Sequence, residues 1–145
     1  MGTRCLTITI NEDGYKIMSM YRQFDGYPDG HGLELANFLN GMVIGNGIGI
    51  EEEKLEKFAN GMGCLSAQIV NNFKENPGGI YLYPTSQNVS VSYIYTVTTA
   101  TNRTNRELIE TKIECMAAYN KKVLFNGSPA DFLKWIEDGS DEEID

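Results

Sequence analysis

An alternating run rich in β-branched residues, Arg4–Ile10, is followed after Asn11-Glu12-Asp13-Gly14 by Tyr15–Tyr21 (Tyr-Lys-Ile-Met-Ser-Met-Tyr). Two such runs on either side of a short polar turn ending in glycine predict a β-hairpin with a four-residue loop. Pairing Ile10 with Tyr15 puts Arg4, Leu6, Ile8 and Ile10 on one face with Ile17, Ser19 and Tyr21. Cys5, Thr7 and Thr9 then share the other face with Lys16, Met18 and Met20. The first face is the more apolar, so it is the expected core face, and it ends in Arg4. An arginine in line with a core must be paired or meet an anion, because burying it alone is very costly. Arg22 lies at the same open end, and two cations this close repel unless a negative group sits between them. Asp25 and a ligand phosphate are the candidates for that group.

Behind the hairpin comes Tyr21-Arg22-Gln23-Phe24-Asp25-Gly26-Tyr27-Pro28-Asp29-Gly30-His31-Gly32, a polar stretch with three glycines and the only histidine of the chain. It precedes a short amphipathic helix at 33–39, whose positive N-terminal N–H groups are expected to face this loop. Gly41 to Gly49 reads as a flexible apolar loop or lid, and it lacks the spacing of a phosphate-binding glycine motif. Helices are expected at 51–60 and 63–75, broken at Gly61-Met62-Gly63 and stopped by Asn76-Pro77-Gly78-Gly79. In the second of these, Leu65, Ile69, Val70 and Phe73 form the apolar stripe. Strands follow at 79–84, 90–98, 107–117 and 121–126, with a polar hairpin tip from Thr99 to Arg106. Ser128-Pro129-Ala130-Asp131 then starts a last helix, with Ser as N-cap and Pro in first position. The order is two strands, helices, four strands and a helix, which does not alternate as βαβ. It predicts an α+β domain over 1–139: a mainly antiparallel sheet of about six strands with helices packed on one side.

A chain of 145 residues is one domain by size and buries enough surface to need no staple. The net charge is −8, yet Glu137, Asp138, Asp141, Glu142, Glu143 and Asp145 supply six of those negative charges, so the body carries −8 + 6 = −2. The end at 140–145 is expected to be an acidic disordered tail. A nearly neutral body without a basic stripe argues against duplex nucleic acid as a partner. No stretch approaches the roughly 20 apolar residues of a membrane span. Met1–Leu6 has no apolar signal-peptide core, and Leu6 breaks the myristoylation pattern. Cys5, Cys64 and Cys115 are an odd, widely spaced set, which predicts reduced thiols and a cytoplasmic protein.

His31 between two glycines has no partner at metal-ligand spacing, so neither metal nor cofactor is expected. It reads as an exposed loop histidine or one capping the next helix, or as a ligand-contacting or acid–base group. Asp25 and Asp29 around Tyr27-Pro28 are turn formers, or partners of an arginine and of a ligand hydroxyl. The tyrosine pairs 81/83 and 93/95 coat a sheet face or stack a ring.

The opening Met-Gly-Thr-Arg-Cys-Leu-Thr, followed by Gln-Phe-Asp-Gly-Tyr-Pro-Asp-Gly-His-Gly, resembles a family of small uncharacterised proteins of phages, bacteria and fungi. Phe24 stands where many members have Trp. The specific similarity covers roughly the first 40 residues, and the segment from Lys122 to Leu133 is similar to the phage branch. That resemblance implies a phage accessory protein, and by analogy a counter-defence protein that sequesters a nucleotide-derived immune signal such as a cyclic nucleotide or cyclic ADP-ribose-type molecule. Such a ligand needs arginine for phosphate, an aromatic ring for the base and a carboxylate or amide for ribose. Arg4, Arg22, Gln23, Phe24, Asp25, Tyr27 and His31 are the candidate ligand-binding residues, in an expected homo-oligomer. Two other readings stay open: a metal-independent hydrolase or phosphodiesterase using His31 and Asp25, and a protein-interaction module presenting the tyrosine strands and the 41–50 segment to a host protein.

Overall fold

The computed structural model describes residues 2–45, 57–99 and 109–139. Strands β1 (Cys5–Ile10) and β2 (Lys16–Arg22) form the hairpin. Asn11 holds its turn: its Oδ1 accepts from the N–H groups of Asp13 and Tyr15, both at 2.9 Å. A single wide turn at Pro28–Gly32 leads into α1 (Leu33–Leu39), followed by β3 (Val43–Gly45), β4 (Phe58–Asn60) and α2 (Gly61–Phe73). Then come β5 (Ile80–Tyr83), β6 (Tyr93–Thr99), β7 (Ile109–Ala117), β8 (Lys122–Gly127) and α3 (Pro129–Glu137). The start of α3 is as its sequence predicts, with Ser128 Oγ accepting from Asp131 N–H at 3.1 Å. No helix among the described residues is long and apolar enough to cross a membrane.

The chain is α+β, with a mixed sheet in the order β4-β3-β7-β6-β1-β2-β5 and β8 paired to β7 beside β3. Two neighbours are parallel, β1 with β6 and β3 with β4, so the expected antiparallel pattern holds only for the rest. The eight described strands exceed the expected six because β3 and β4 are only three residues each. Strands so short leave almost no alternation to read. They are held by pairing and burial: Ile44 faces Ala59 and both are fully buried. Thus 43–45 is strand where a loop was expected, and 58–60 is strand where a helix was expected. The remainder of those segments (46–56), nearly all of the expected tip at Thr99–Arg106, and the tail at 140–145 lie outside the described residues.

The hairpin register differs from the expected pairing by two residues, with Cys5 opposite Arg22, Thr7 opposite Met20 and Thr9 opposite Met18. A two-residue shift keeps every side chain on its face. What changes is which face meets the helices. Cys5, Thr7, Thr9 and Met20 are fully buried, whereas Ile8 and Ile10 are partly covered and Ile17 is exposed. One cluster joins Cys5, Met18 and Met20 to Tyr95, Val97, Ile113 and Cys115 of the sheet and to Leu35, Leu65, Ile69 and Phe132 of the three helices. Threonines can occupy this core face because their hydroxyls are bonded. Thr9 Oγ1 lies 2.7 Å from Ser66 Oγ, and Thr7 Oγ1 lies 2.6 Å from His31 Nε2. The arginine in line with the core is therefore Arg22 and not Arg4.

Candidate ligand-binding site

The glycine-punctuated segment after β2 packs into the protein. Gly26, Pro28, His31 and Gly32 are buried. A Cβ on Gly26 would lie 2.9 Å from the backbone of Arg4, and one on Gly32 would lie 2.7 Å from the Phe132 ring. A side chain would have to displace the backbone before β1 at the first position and the Phe132 and Tyr95 rings at the second. Tyr95, fully buried, donates its hydroxyl to Gly26 O at 2.7 Å and so ties the segment to β6. The turn that leads into α1 uses its own N–H groups internally. Gly30 and Gly32 N–H both donate to Tyr27 O, and His31 N–H donates to Asp25 O. Asp25 reaches that position with a φ of 63°.

His31, expected to be exposed on its loop, is instead buried and forms the floor. Arg22 Nη1 lies 3.1 Å from Nδ1, and Thr7 Oγ1 lies 2.6 Å from Nε2. A guanidinium only donates, so Nδ1 accepts, and the proton sits on Nε2 and is donated to Thr7. Burial first, and then the adjacent Arg22 charge, push the imidazole from its ordinary 6.5 to about 3. His31 is thus a neutral acceptor that aims Arg22, flanked by the rings of Phe73 and Tyr95 at 4.8 and 5.3 Å.

Arg22 is the junction of the site. Its side chain is 16% exposed. Nη1 spends its two hydrogens on His31 and on Glu34 Oε1, the latter at 2.8 Å. Among the described residues, Nη2 has only Asp25 Oδ2 at 3.9 Å, too far for a hydrogen bond. The guanidinium carbon stands 5.9 Å from the centre of the Phe73 ring. Around it opens a cleft of about 710 Å³. Arg22 and Phe24 line it from the end of β2, and Glu34, Asn37 and Phe38 from α1. Asn72 and Phe73 at the end of α2, and the turn carrying Glu75, Asn76, Gly78 and Gly79, close the far side. Lys74 fastens that turn, its Nζ donating to Gly78 O at 3.1 Å and Ile80 O at 2.8 Å.

Of the seven residues expected to bind ligand, Arg22 and Phe24 line this cleft, with Phe24 53% exposed at its rim. His31 lies beneath it. Asp25 stands beside Arg22 and accepts from the Tyr27 hydroxyl at 3.1 Å, which raises the Tyr27 pKa; both are on the exposed surface next to the cleft. Gln23 is half-buried, with its N–H donated to Gly79 O. Arg4 is exposed and outside the cleft lining, and its carbonyl accepts from Ser92 N–H at 2.9 Å. Of the expected Arg4–Arg22 pair, Arg22 lines the cleft and Arg4 does not; Arg22 stands opposite Cys5, and Arg4 is the residue before it. Glu34, Asn37 and Phe38 escaped the sequence reading, although their spacing puts them on one side of a helix. The residues from α2 and its turn are brought in only by tertiary packing.

Among the lining residues there are one arginine and two glutamates, so the cleft is net negative and its single cation is already partnered. It offers aromatic faces, side-chain amides, carboxylates and one guanidinium. Among the described residues no group of three His, Cys, Asp or Glu is placed to hold a metal ion. Burial pushes Cys5 and Cys115 up to about 12, so neither buried thiol is a nucleophile at neutral pH. Comparison with protein-family models, with curated proteins and with solved structures finds no match.

Proposed function

We propose that the protein binds a small nucleotide-derived molecule in the Arg22 cleft and holds it without chemical turnover. The observation that carries this reading is an open cleft of about 710 Å³, within the range of small-molecule sites, that meets Arg22 on a fixed floor. Phe24 supplies an exposed ring for stacking, the asparagines supply amides, and Arg22 Nη2 remains available to a ligand acceptor. The charge balance favours a ligand whose base and sugar enter the cleft and whose phosphates stay near its mouth. A polyphosphate buried beside Glu34 and Glu75 would meet repulsion. Sequestration is favoured over hydrolysis because His31, which the hydrolytic reading requires, has both ring nitrogens bonded and stays neutral far below pH 7. On the phage-type resemblance, such binding acts in counter-defence against a nucleotide-derived immune signal.

Thermal-shift screening with nucleosides, mononucleotides, cyclic dinucleotides and cyclic ADP-ribose isomers tests this. A ligand at 100 times its Kd stabilises by about 2.7 kcal/mol, which is several degrees for a domain of this size. The expected result is a shift that Phe24→Ala reduces, with the ligand recovered intact by mass after heat denaturation. Recovery of a product would make the protein an enzyme, and no shift across the panel would remove the proposal.

A further inference from the structure

Resting on the reading of this cleft as a nucleotide-derived ligand site, we infer that it selects a guanine-type base through the Arg22–Glu34 pair. The two side chains meet at 2.8 Å through Nη1 and Oε1, so a strong donor and a strong acceptor stand next to each other on the cleft wall. Glu34 is 54% exposed, so its carboxylate is held at one oxygen and open to the cleft. The complement of such a pair is a planar edge with an acceptor beside a donor. Guanine presents O6 as acceptor next to N1–H and the N2 amino group as donors. Arg22 Nη2 can donate to O6 while Glu34 accepts from N1–H and N2–H, and both are charge-assisted bonds. Adenine and cytosine offer a carboxylate one donor group on that edge instead of two. Guanidinium donation to O6 and N7 is also the most frequent specific guanine contact of proteins. Either donor mode leaves the base neutral, which suits a cleft with one cation and two carboxylates better than a buried phosphate does. The Phe73 ring under the guanidinium and the Phe24 ring at the rim supply apolar area for a bicyclic base.

The test is calorimetric titration of the unmodified full chain with guanosine, inosine, adenosine, cytidine and inorganic phosphate. Guanosine is expected to bind about tenfold to a hundredfold more tightly than adenosine or cytidine, the discrimination typical of a bidentate pair. Inosine, which keeps O6 and N1–H but lacks the N2 amino group, is expected to fall between. Glu34→Gln, an exposed change that leaves the Arg22–His31 contact in place, should collapse the preference while the variant melts within a few degrees of the unmodified chain. Adenosine or cytidine binding as tightly as guanosine would overturn the base assignment and leave the nucleoside site standing. Inorganic phosphate competing while no nucleoside binds would overturn it in favour of an anion site. No binding of any probe would overturn the base assignment, and the function proposed above would fall with it if the cyclic dinucleotides and cyclic ADP-ribose isomers also gave no thermal shift.

Discussion

The single histidine lies beneath the cleft, outside its lining, and orients Arg22 from there. His31 is neutral because a cation donates to it on one side and burial surrounds it on the rest. Its pKa therefore falls from 6.5 in the unfolded chain to about 3 in the folded protein. Between those values the unfolded chain binds a proton that the folded protein does not. Stability from this group is thus fully present above about pH 6.5 and is lost as pH falls toward 3. His31→Asn, which removes the ring while keeping a neutral acceptor, is expected to cost about 1–3 kcal/mol at neutral pH through lost packing and weakened bonds. The same variant should lie closer to the unmodified chain near pH 4, because only the latter is penalised by protonation of the unfolded state. Urea unfolding of both proteins across this range measures the gap. A gap independent of pH would show that His31 is not held neutral. The sequence shows the residue but not its state: that depends on Thr7 and Arg22, which the hairpin register supplies.

At the scale of elements, the local signals were legible and the long-range ones were not. The hairpin, the body of α2 and the cap of α3 follow from alternation, glycine placement and Ser128-Pro129. Which hairpin face is buried did not, because Thr7 and Thr9 look polar until His31 and Ser66 satisfy them. The start of α2 is a similar case. Gly61 adopts a φ of 86°, a conformation that favours glycine, and Glu12 reaches across from the hairpin turn to accept from Met62 N–H at 2.8 Å. A carboxylate fifty residues away in sequence thus does the work of a local N-cap and also complements the helix dipole. Glu12→Ala is expected to destabilise the protein by about 1 kcal/mol, as loss of a cap does. Glu12→Gln, which keeps an acceptor, should cost only a few tenths at moderate salt. Equal melting temperatures for all three proteins would show that the contact contributes nothing.

Across the whole molecule, the sheet order makes the cleft asymmetric. β1 lies between β2 and β6, and β6 between β1 and β7, so these central strands are paired on both sides. Among the described strands β5 is the last, joined only to β2, with Leu82 59% exposed. The bond from Gln23 N–H to Gly79 O sets the phase of that pairing, turning the backbone groups of Ile80 and Leu82 to the open edge. Ile80 is covered there, since its carbonyl accepts from Lys74 Nζ and its N–H donates to Gly78 O. At the next outward position Pro84 has no N–H to offer. Blunting of this kind guards an edge against pairing with another chain. It does not give β5 the stability of the centre. One wall of the cleft, with Arg22 on His31 and His31 on Thr7 of β1, is therefore tied to the centre of the sheet, and the other, at Gly78 and Gly79, belongs to its edge. Native-state hydrogen exchange is expected to find the amides of Thr7 and Tyr95 opening only with global unfolding, and those of Leu82 and neighbouring turn residues at a much lower free energy. A ligand that bridges the two walls should slow exchange in the turn while leaving the central strands unchanged, because they already open only globally. Uniform protection across β5 and β1 in the free protein would contradict this division, since the edge would then be as cooperative as the core.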